Sequence, residues 1–416
     1  MQVVILAAGS STRFYPLNTT HKAGVTLLGK TILEHTLMSV KKAGFTDVIL
    51  VVNPKDGFQE IIGDGTSLDL RITYIMQDDP KGAGEALLLA KEIITDDFFV
   101  IWGSRIEFHE FSKDLLEKKQ NESGVILVKE TENIEGVGVV TVSDGKLIDI
   151  IEKPQVVDAS SHLKIIGVYL LPKQFLQTLQ AVPSQHYSFE HALVTFAKTH
   201  ILECVITEKE TLSLKYPWDL LQVKDYLLKQ IATHKEKNVE IGANVVIEGT
   251  VFIEEGAKIM ENAVIKGPCY IGKKAFIGTN SILRGGTVIE ENVVVGANME
   301  IKNSIFFPKT TTHSGFIGDS IIGAKSKIAA NFCTANVRLD RTSIHVKVGG
   351  KEVNTHLKWL GMIVGERAKI GIRVSTMPGI LIGKNVTIGP QTTVMKDIED
   401  NTKYYAKFSE VVEKKS

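Results

Sequence analysis

From residue 241 onward, large aliphatic side chains recur at every sixth position: Ile241, Ile247, Ile253, Ile259, Ile265, Ile271, Ile277, Leu283, Ile289, Val295 and Ile301. Neither the 3.6-residue period of a helix nor the two-residue period of a strand calls for that spacing. A triangular parallel β-helix does, with one hexapeptide on each flat side and the aliphatic pointing inward. The small residue that follows, often glycine (Gly242, Gly272, Gly278, Gly296), is predicted to make the corner. The register breaks between about 303 and 360 and resumes with Val364, Ile370, Thr376, Ile382, Ile388 and Val394. Coils with insertions are expected in the break, and loops that leave a regular solenoid tend to carry its site.

The first half has another rhythm. Val3 to Leu6 reads as a short buried strand, and Thr31-Ile-Leu-Glu34 opens a helix with capping-box spacing that ends at Gly44. Val48–Val52 is a second apolar run, Gly82 to Ile94 a second helical stretch and Phe98–Trp102 a third strand. This alternation predicts a parallel α/β sheet covered by helices on both faces, with chemistry in the loops after Leu6 and Trp102. Between the halves, 219–237 carries Leu220, Val223, Leu227, Leu228 and Ile231 at helical spacing and ends in charge, the pattern of a connecting helix. The expected division is therefore 1–218, a connecting helix over 219–237, a solenoid over 238–398 and a tail over 399–416.

Composition narrows the partners. In 416 residues, 48 Lys plus Arg balance 48 Asp plus Glu, which leaves no global drive toward nucleic acid or an anionic membrane. No run of about 18 apolar residues suggests a membrane span, and the opening Met1–Gly9 lacks the charged start of a secretory signal. Cys204, Cys269 and Cys333 are far apart, without zinc or redox-pair spacing, so a cytoplasmic setting is expected.

The loop after the first strand, Leu6-Ala-Ala-Gly-Ser-Ser-Thr-Arg13-Phe-Tyr-Pro-Leu17, lets backbone N–H groups approach an anion, and Arg13 adds a fixed charge. With Lys22, Gly29-Lys30 and Leu33-Glu-His35, it resembles the signature of sugar-1-phosphate nucleotidyltransferases. The likeness continues through Gln77, Pro80, Gly82, Glu152-Lys-Pro154, Gly167-Val-Tyr169 and Tyr216–Leu221. It implies a Rossmann-like α/β domain in which the loop cradles a nucleoside triphosphate while a sugar phosphate displaces pyrophosphate. By that resemblance, Arg13 and Lys22 are the catalytic phosphate-binding pair; Ala7, Gly9 and Gln77 contact nucleotide; Gly82 binds substrate; Gly138 and Glu152 contact sugar. Where the family's two metal-binding aspartates stand, this chain has Ser104 and Ser213, so no metal ligand is assigned and Mg²⁺ is not expected to be held. Ser11, His21 and Ile165 replace a family Gly, Pro and Asn.

The second half resembles left-handed β-helix acyltransferases, in particular the acetyltransferase half of bifunctional enzymes that make UDP-N-acetylglucosamine. The carrying segments are His313–Ser320, Ile328–Asn336 and Lys358-Trp-Leu-Gly361. The resemblance implies acetyl-CoA as co-substrate, a homotrimer, His313 as general base, and Asn336 and Lys358 as residues that bind the sugar phosphate or orient the amine. Phe316 stands where that family has Tyr. The expected function is acetyl transfer to an amino-sugar 1-phosphate with weak or lost nucleotidyl transfer, and the ligands are a sugar phosphate, a nucleotide or a sugar nucleotide. Two alternatives stay open: a non-catalytic sugar-nucleotide-binding regulator, and a fully bifunctional enzyme with rearranged metal ligands such as Glu107 or Asp219.

Overall fold

The computed structural model describes residues 1–132, 134, 136–152, 162–409 and 412–414. Lys153 and Pro154 of the expected sugar-binding triplet lie outside them, as does part of the C-terminal tail. The chain divides into two compact units: residues 1–11, 20–25 and 31–212 form one, and 12–19, 26–30 and 213–416 the other.

The first unit is built on nine strands: β1 (Gln2–Ala7), β2 (Asp47–Val52), β3 (Arg71–Met76), β4 (Phe98–Trp102), β5 (Gly124–Glu130), β6 (Gly138–Ser143), β7 (Lys146–Glu152), β8 (Leu163–Leu171) and β9 (Leu202–Ile206). Their order is β3-β2-β1-β4-β8-β5-β9-β7-β6. β3, β2, β1 and β4 are parallel, as the alternation predicts, but β8 runs antiparallel to both β4 and β5. The sheet is thus mixed rather than all parallel. Between β4 and its sheet neighbour β8 the chain runs through a helix over Ser112–Lys118 and through β5, β6 and β7, and the hairpin of β6 and β7 pairs onto the far edge of the sheet. Alternate residues of β1 feed two cores: Val3 and Ile5 pack with Leu33 and Leu37 of helix α1 (Ile32–Lys42), while Val4 and Leu6 pack with Leu87 and Leu193 on the other face. Helix α1 begins in the expected capping box, with Thr31 Oγ1 accepting from the Glu34 N–H at 3.1 Å and the Glu34 carboxylate accepting from the Thr31 N–H at 2.7 Å.

The second unit opens with helix α2 (Asp219–Leu228), shorter than the 219–237 expected; by His234–Lys235 the chain is already a solenoid strand. Strands then stack parallel in three sheets of eight, nine and eight. Val251–Ile253 pairs with Cys269–Ile271 and that with Thr287–Ile289, so a regular coil takes 18 residues, three hexapeptides. Ile253, Ile271 and Ile289 stack inside, fully buried. Ile241 and Ile247, which share the register, are exposed, because the first coil has no earlier coil stacked against it. Near the C terminus, Lys403–Tyr404 still pairs in the solenoid rather than trailing as tail.

Gly242, Gly272, Gly278 and Gly296 do not supply the left-handed corners. Each lies where a Cβ would strike the backbone of the next coil, as at 2.7 Å from the Glu261 nitrogen for Gly242. The left-handed residue comes two positions later, at Asn244, Lys274, Asn280 and Asn298, with φ between 55° and 58°. The break after 303 has a simple anatomy. Val295 pairs with Thr312 and Ile301 with Ile317, coils shortened by one and two residues. Ile322 then pairs with Val364, 42 residues on instead of 18, an insertion of 24 that carries the hairpin His345–Val348/Lys351–Asn354.

Truncating a stacked position should cost far more than truncating an end position. Ile277→Ala is expected to lower solenoid stability by about 2–5 kcal/mol, whereas Ile247→Ala should change it by less than about 0.5 kcal/mol. Urea unfolding of the two variants beside the parent chain checks this.

Candidate active sites

In the first unit, β1, β2, β3 and β4 end together, and the loops beyond their carboxyl ends bring the nucleotide-loop residues into one region. The Gly103 N–H donates to the Leu6 carbonyl at 3.0 Å, and a Cβ on Gly103 would lie 2.8 Å from that of Ala7. These approaches hold the Ala7–Gly9 loop against the turn that bears Ser104. Gln77, buried just after β3, donates from its backbone to the Val52 carbonyl and from Nε2 to Glu85 at 2.8 Å. Gly82 adopts φ 129° where a Cβ would lie 2.7 Å from the His186 carbonyl oxygen, so a close backbone approach excludes other residues. Gly138 and Glu152 are cross-strand partners of β6 and β7, and the Glu152 carboxylate covers the glycine.

Two departures from the signature are built into the loop. Ser11 takes the left-handed conformation (φ 51°) that the family's glycine would favour, and its hydroxyl accepts from the Lys22 N–H at 3.0 Å. His21 is buried, accepts from the Ala23 N–H through Nδ1 at 3.1 Å and packs edge-on against Phe58. Burial, with Lys22 adding to it, pulls its imidazole down to about 3, so it stays neutral. Arg13, on the short turn Thr12–Phe14, and Ser213 fall among the residues of the second unit, and both are exposed.

The expected metal positions offer no charge. Ser104 is a half-buried hydroxyl and Ser213 an exposed one. The two carboxylates considered as replacements are engaged elsewhere. Glu107 is fully buried in an ion pair with Arg105 at 2.8 Å and accepts from the Leu212 N–H at 2.9 Å. Asp219 accepts from the backbone N–H groups of Lys215 and Tyr216 at 2.6 and 2.8 Å, bracing the start of α2. These residues do not fit Mg²⁺, which takes carboxylate oxygens in a strict octahedral shell.

One acid that feels the charge of Glu152 escaped the sequence reading. Glu190, on helix α3 (Ser188–Ala197), is half-buried, and its Oε2 is buried and unpartnered among the described residues. Burial pushes its carboxyl up to about 7, its own backbone N–H opposing and Glu152 adding a smaller rise. Its neighbour Phe189 packs against Trp102 and Tyr169, so the apolar run around it was the available signal.

In the second unit the site forms where the coils shorten. Asp319, 2% exposed, accepts from Asn303 Nδ2 at 2.7 Å, from Asn336 Nδ2 at 2.5 Å and from Lys302 Nζ at 3.2 Å. Lys224 of α2, fully buried, donates to Asn303 Oδ1 at 2.6 Å and to Asp225 at 2.5 Å. Burial holds the Lys224 ammonium below its ordinary range, with Asp225 opposing. Lys302 also lies 5.9 Å from the ring centre of Trp359. Asn336 is fixed at its backbone as well, its carbonyl accepting from the Leu360 N–H at 2.9 Å. Asn336, Asp319 and the Trp359 segment are thus gathered together. His313 is exposed, its backbone tied to Ile328 at 3.0 Å, and no side-chain hydrogen bond joins it to Asn336 or Lys358 among the described residues. Lys358 is exposed beside Trp359. Lys224, a cation at the apolar spacing of Leu220 and Leu228, was the one sequence signal for the buried network.

Residues 2–211 match the nucleotidyl transferase family, 265–360 the GMPPB C-terminal domain and 361–390 the hexapeptide repeat of succinyl-transferase. The chain is 41% identical to the bifunctional protein GlmU of Methanococcus maripaludis strain C7 over the full length of both. It is 35% identical to that of Methanocaldococcus jannaschii, with 97% of each chain covered. A bifunctional sugar-1-phosphate nucleotidylyltransferase/acetyltransferase of Sulfurisphaera tokodaii is 31% identical, covering 96% of this chain and 98% of that one. The chain belongs to this bifunctional transferase family. It pairs a Rossmann-like nucleotidyltransferase domain with a left-handed β-helix of hexapeptide repeats, and it is a transferase. Among the described residues no helix is long and apolar enough to cross a membrane.

Glu190 gives a pH test. Its folded value near 7 lies above the ordinary 4.5, so the folded state holds the proton more tightly. The stability it contributes is full below about pH 4.5 and is lost as pH rises through 7. Glu190→Gln should therefore gain on the parent chain by on the order of 2 kcal/mol between pH 5 and 8, read by urea unfolding at both pH values.

Proposed function

We propose that this transferase acetylates an amino-sugar 1-phosphate from acetyl-CoA and that its nucleotidyl transfer is weak. The observation that carries the first part is the buried Asp319, which holds the Asn336 amide and Lys302 in one place at the shortened coils, beside Trp359. A fixed amide with its carbonyl oxygen left over can accept from an attacking amine, and the cations Lys302 and Lys358 suit a sugar phosphate. His313 takes the proton as the amine nitrogen bonds to the thioester carbon, and the carbon–sulfur bond breaks to release the CoA thiolate. The reading makes the chain a homotrimer, with acetyl-CoA bound between solenoids.

His313→Ala is expected to slow acceptor-dependent thiol release from acetyl-CoA with glucosamine 1-phosphate by about 10²–10⁴-fold, the usual loss for a general base. Equal rates in variant and parent would remove His313 from the mechanism. Absence of acceptor-dependent release in the parent chain, with any hexosamine phosphate, would turn the reading toward a sugar-nucleotide-binding regulator.

The second part rests on Ser104 and Ser213, and on Glu107 and Asp219 being engaged. Its competitor, a fully bifunctional enzyme, is supported by full-length identity to relatives bearing that name. Pyrophosphate release with each nucleoside triphosphate, Mg²⁺ and glucose or N-acetylglucosamine 1-phosphate separates the two. Turnover well below about 1 s⁻¹ is expected, and an ordinary enzymatic rate would establish the bifunctional reading.

A further inference from the structure

The loop after β4 contains a cation of its own. Arg105 follows Ser104 directly, its side chain is only 11% exposed, and its guanidinium donates from the same nitrogen to Glu107 at 2.8 Å and to the Leu212 carbonyl at 2.6 Å. Glu107 in turn accepts from the Leu212 N–H at 2.9 Å. Both polar groups of Leu212 are therefore gripped by one ion pair. Leu212 immediately precedes Ser213, so the pair joins the two chain segments in which the family resemblance places metal-binding aspartates.

The charge count supports an exchange. Two aspartates around a divalent cation are neutral together, and so is Arg105 paired with Glu107. The guanidinium field also reaches outward: Lys164 is held below its ordinary range by burial first, then by Lys129 and by Arg105. A divalent cation brought between these segments would meet the Arg105 guanidinium, and the Glu107 carboxylate is already paired with it. Glu107 Oε2 and Arg105 Nε are buried without hydrogen-bond partners among the described residues, so each relies on the other's charge.

We propose that the Arg105–Glu107 ion pair stands in for the divalent cation of this site, tying the loop after β4 to the Leu212 segment so that a sugar nucleotide binds without metal. This rests on the reading that the first unit keeps a sugar-nucleotide site. Arg105 is a positioning residue here, acting on ligand through the two segments it joins.

The test uses the full chain and UDP-N-acetylglucosamine as probe, titrated calorimetrically in EDTA and in millimolar Mg²⁺. Affinity should agree within about twofold. A tenfold or greater gain with Mg²⁺ would overturn the proposal. Arg105→Ala removes the stand-in and leaves Glu107 as a bare buried carboxylate beside the Leu212 carbonyl. Its affinity in EDTA should fall about tenfold and recover in millimolar Mn²⁺, with Mn²⁺ uptake seen as loss of the free-ion resonance. A purely structural arginine would give the fall without metal rescue, and an unchanged affinity would give neither; both outcomes overturn the proposal. If no probe binds the parent chain in either buffer, the sugar-nucleotide reading has failed separately. The thermal midpoint then decides: lowered in Arg105→Ala and restored by Mn²⁺ supports the stand-in, and no restoration overturns it.

Discussion

Coil-to-coil hydrogen bonding at a fixed repeat is the constraint on which the second unit depends. In the regular coils each strand pairs with the one 18 residues later, and that repeat sets Ile253, Ile271 and Ile289 one above another in the core. A coil that departs from 18 must absorb the change at a corner without moving the stacked aliphatics. Changes of that kind run from Ile289 to Val364, where coils lose one or two residues and then gain 24, and the last coil is shortened again by two. Side chains at those corners are released from packing and can face a ligand. That is why Asn303, Asp319 and Asn336 meet there and why the regular coils carry no such cluster.

Polar burial in that zone follows from satisfaction rather than exposure. Asp319 is a carboxylate nearly out of water, which is tolerable because two amides and an ammonium share its two oxygens. Lys224 is the converse, an ammonium wholly buried by its helix and matched to Asp225 and Asn303. Asn303 connects the two by donating to one and accepting from the other. A chain of this sort orients the Asn303 amide at both ends, while Asn336 is held to Asp319 through its nitrogen.

Much of the fold could be read from periodicity because the inward aliphatics repeat without regard to distant context. The sixfold register located the solenoid, and the Thr31-to-Glu34 spacing located the start of α1. What periodicity cannot carry is the neighbour across a gap in sequence. Ile241 and Ile247 satisfy the repeat yet are exposed, since burial needs coils on both sides. The corner conformation also fell to Asn244 and Asn280 rather than to the adjacent glycines, because those glycines answer to backbone proximity. At the first site, the serines at 104 and 213 were visible as departures, but the grip of Arg105 and Glu107 on Leu212 was not, since it joins residues more than 100 positions apart. The antiparallel course of β8 had no signal in its own apolar run.

The 24-residue insertion has a consequence for how the solenoid assembles. Parallel coils fold by adding each turn to the one before, and the entropy lost at each addition depends on the length of chain that closes. Closing 42 residues instead of 18 raises that loss only by about 0.7 kcal/mol, because it grows with the logarithm of length. Growth can therefore propagate through the insertion almost as readily as through a regular coil. The same logarithm makes this corner a tolerant point for change, where the hairpin could lengthen, shorten or be exchanged at small energetic cost to the stack on either side.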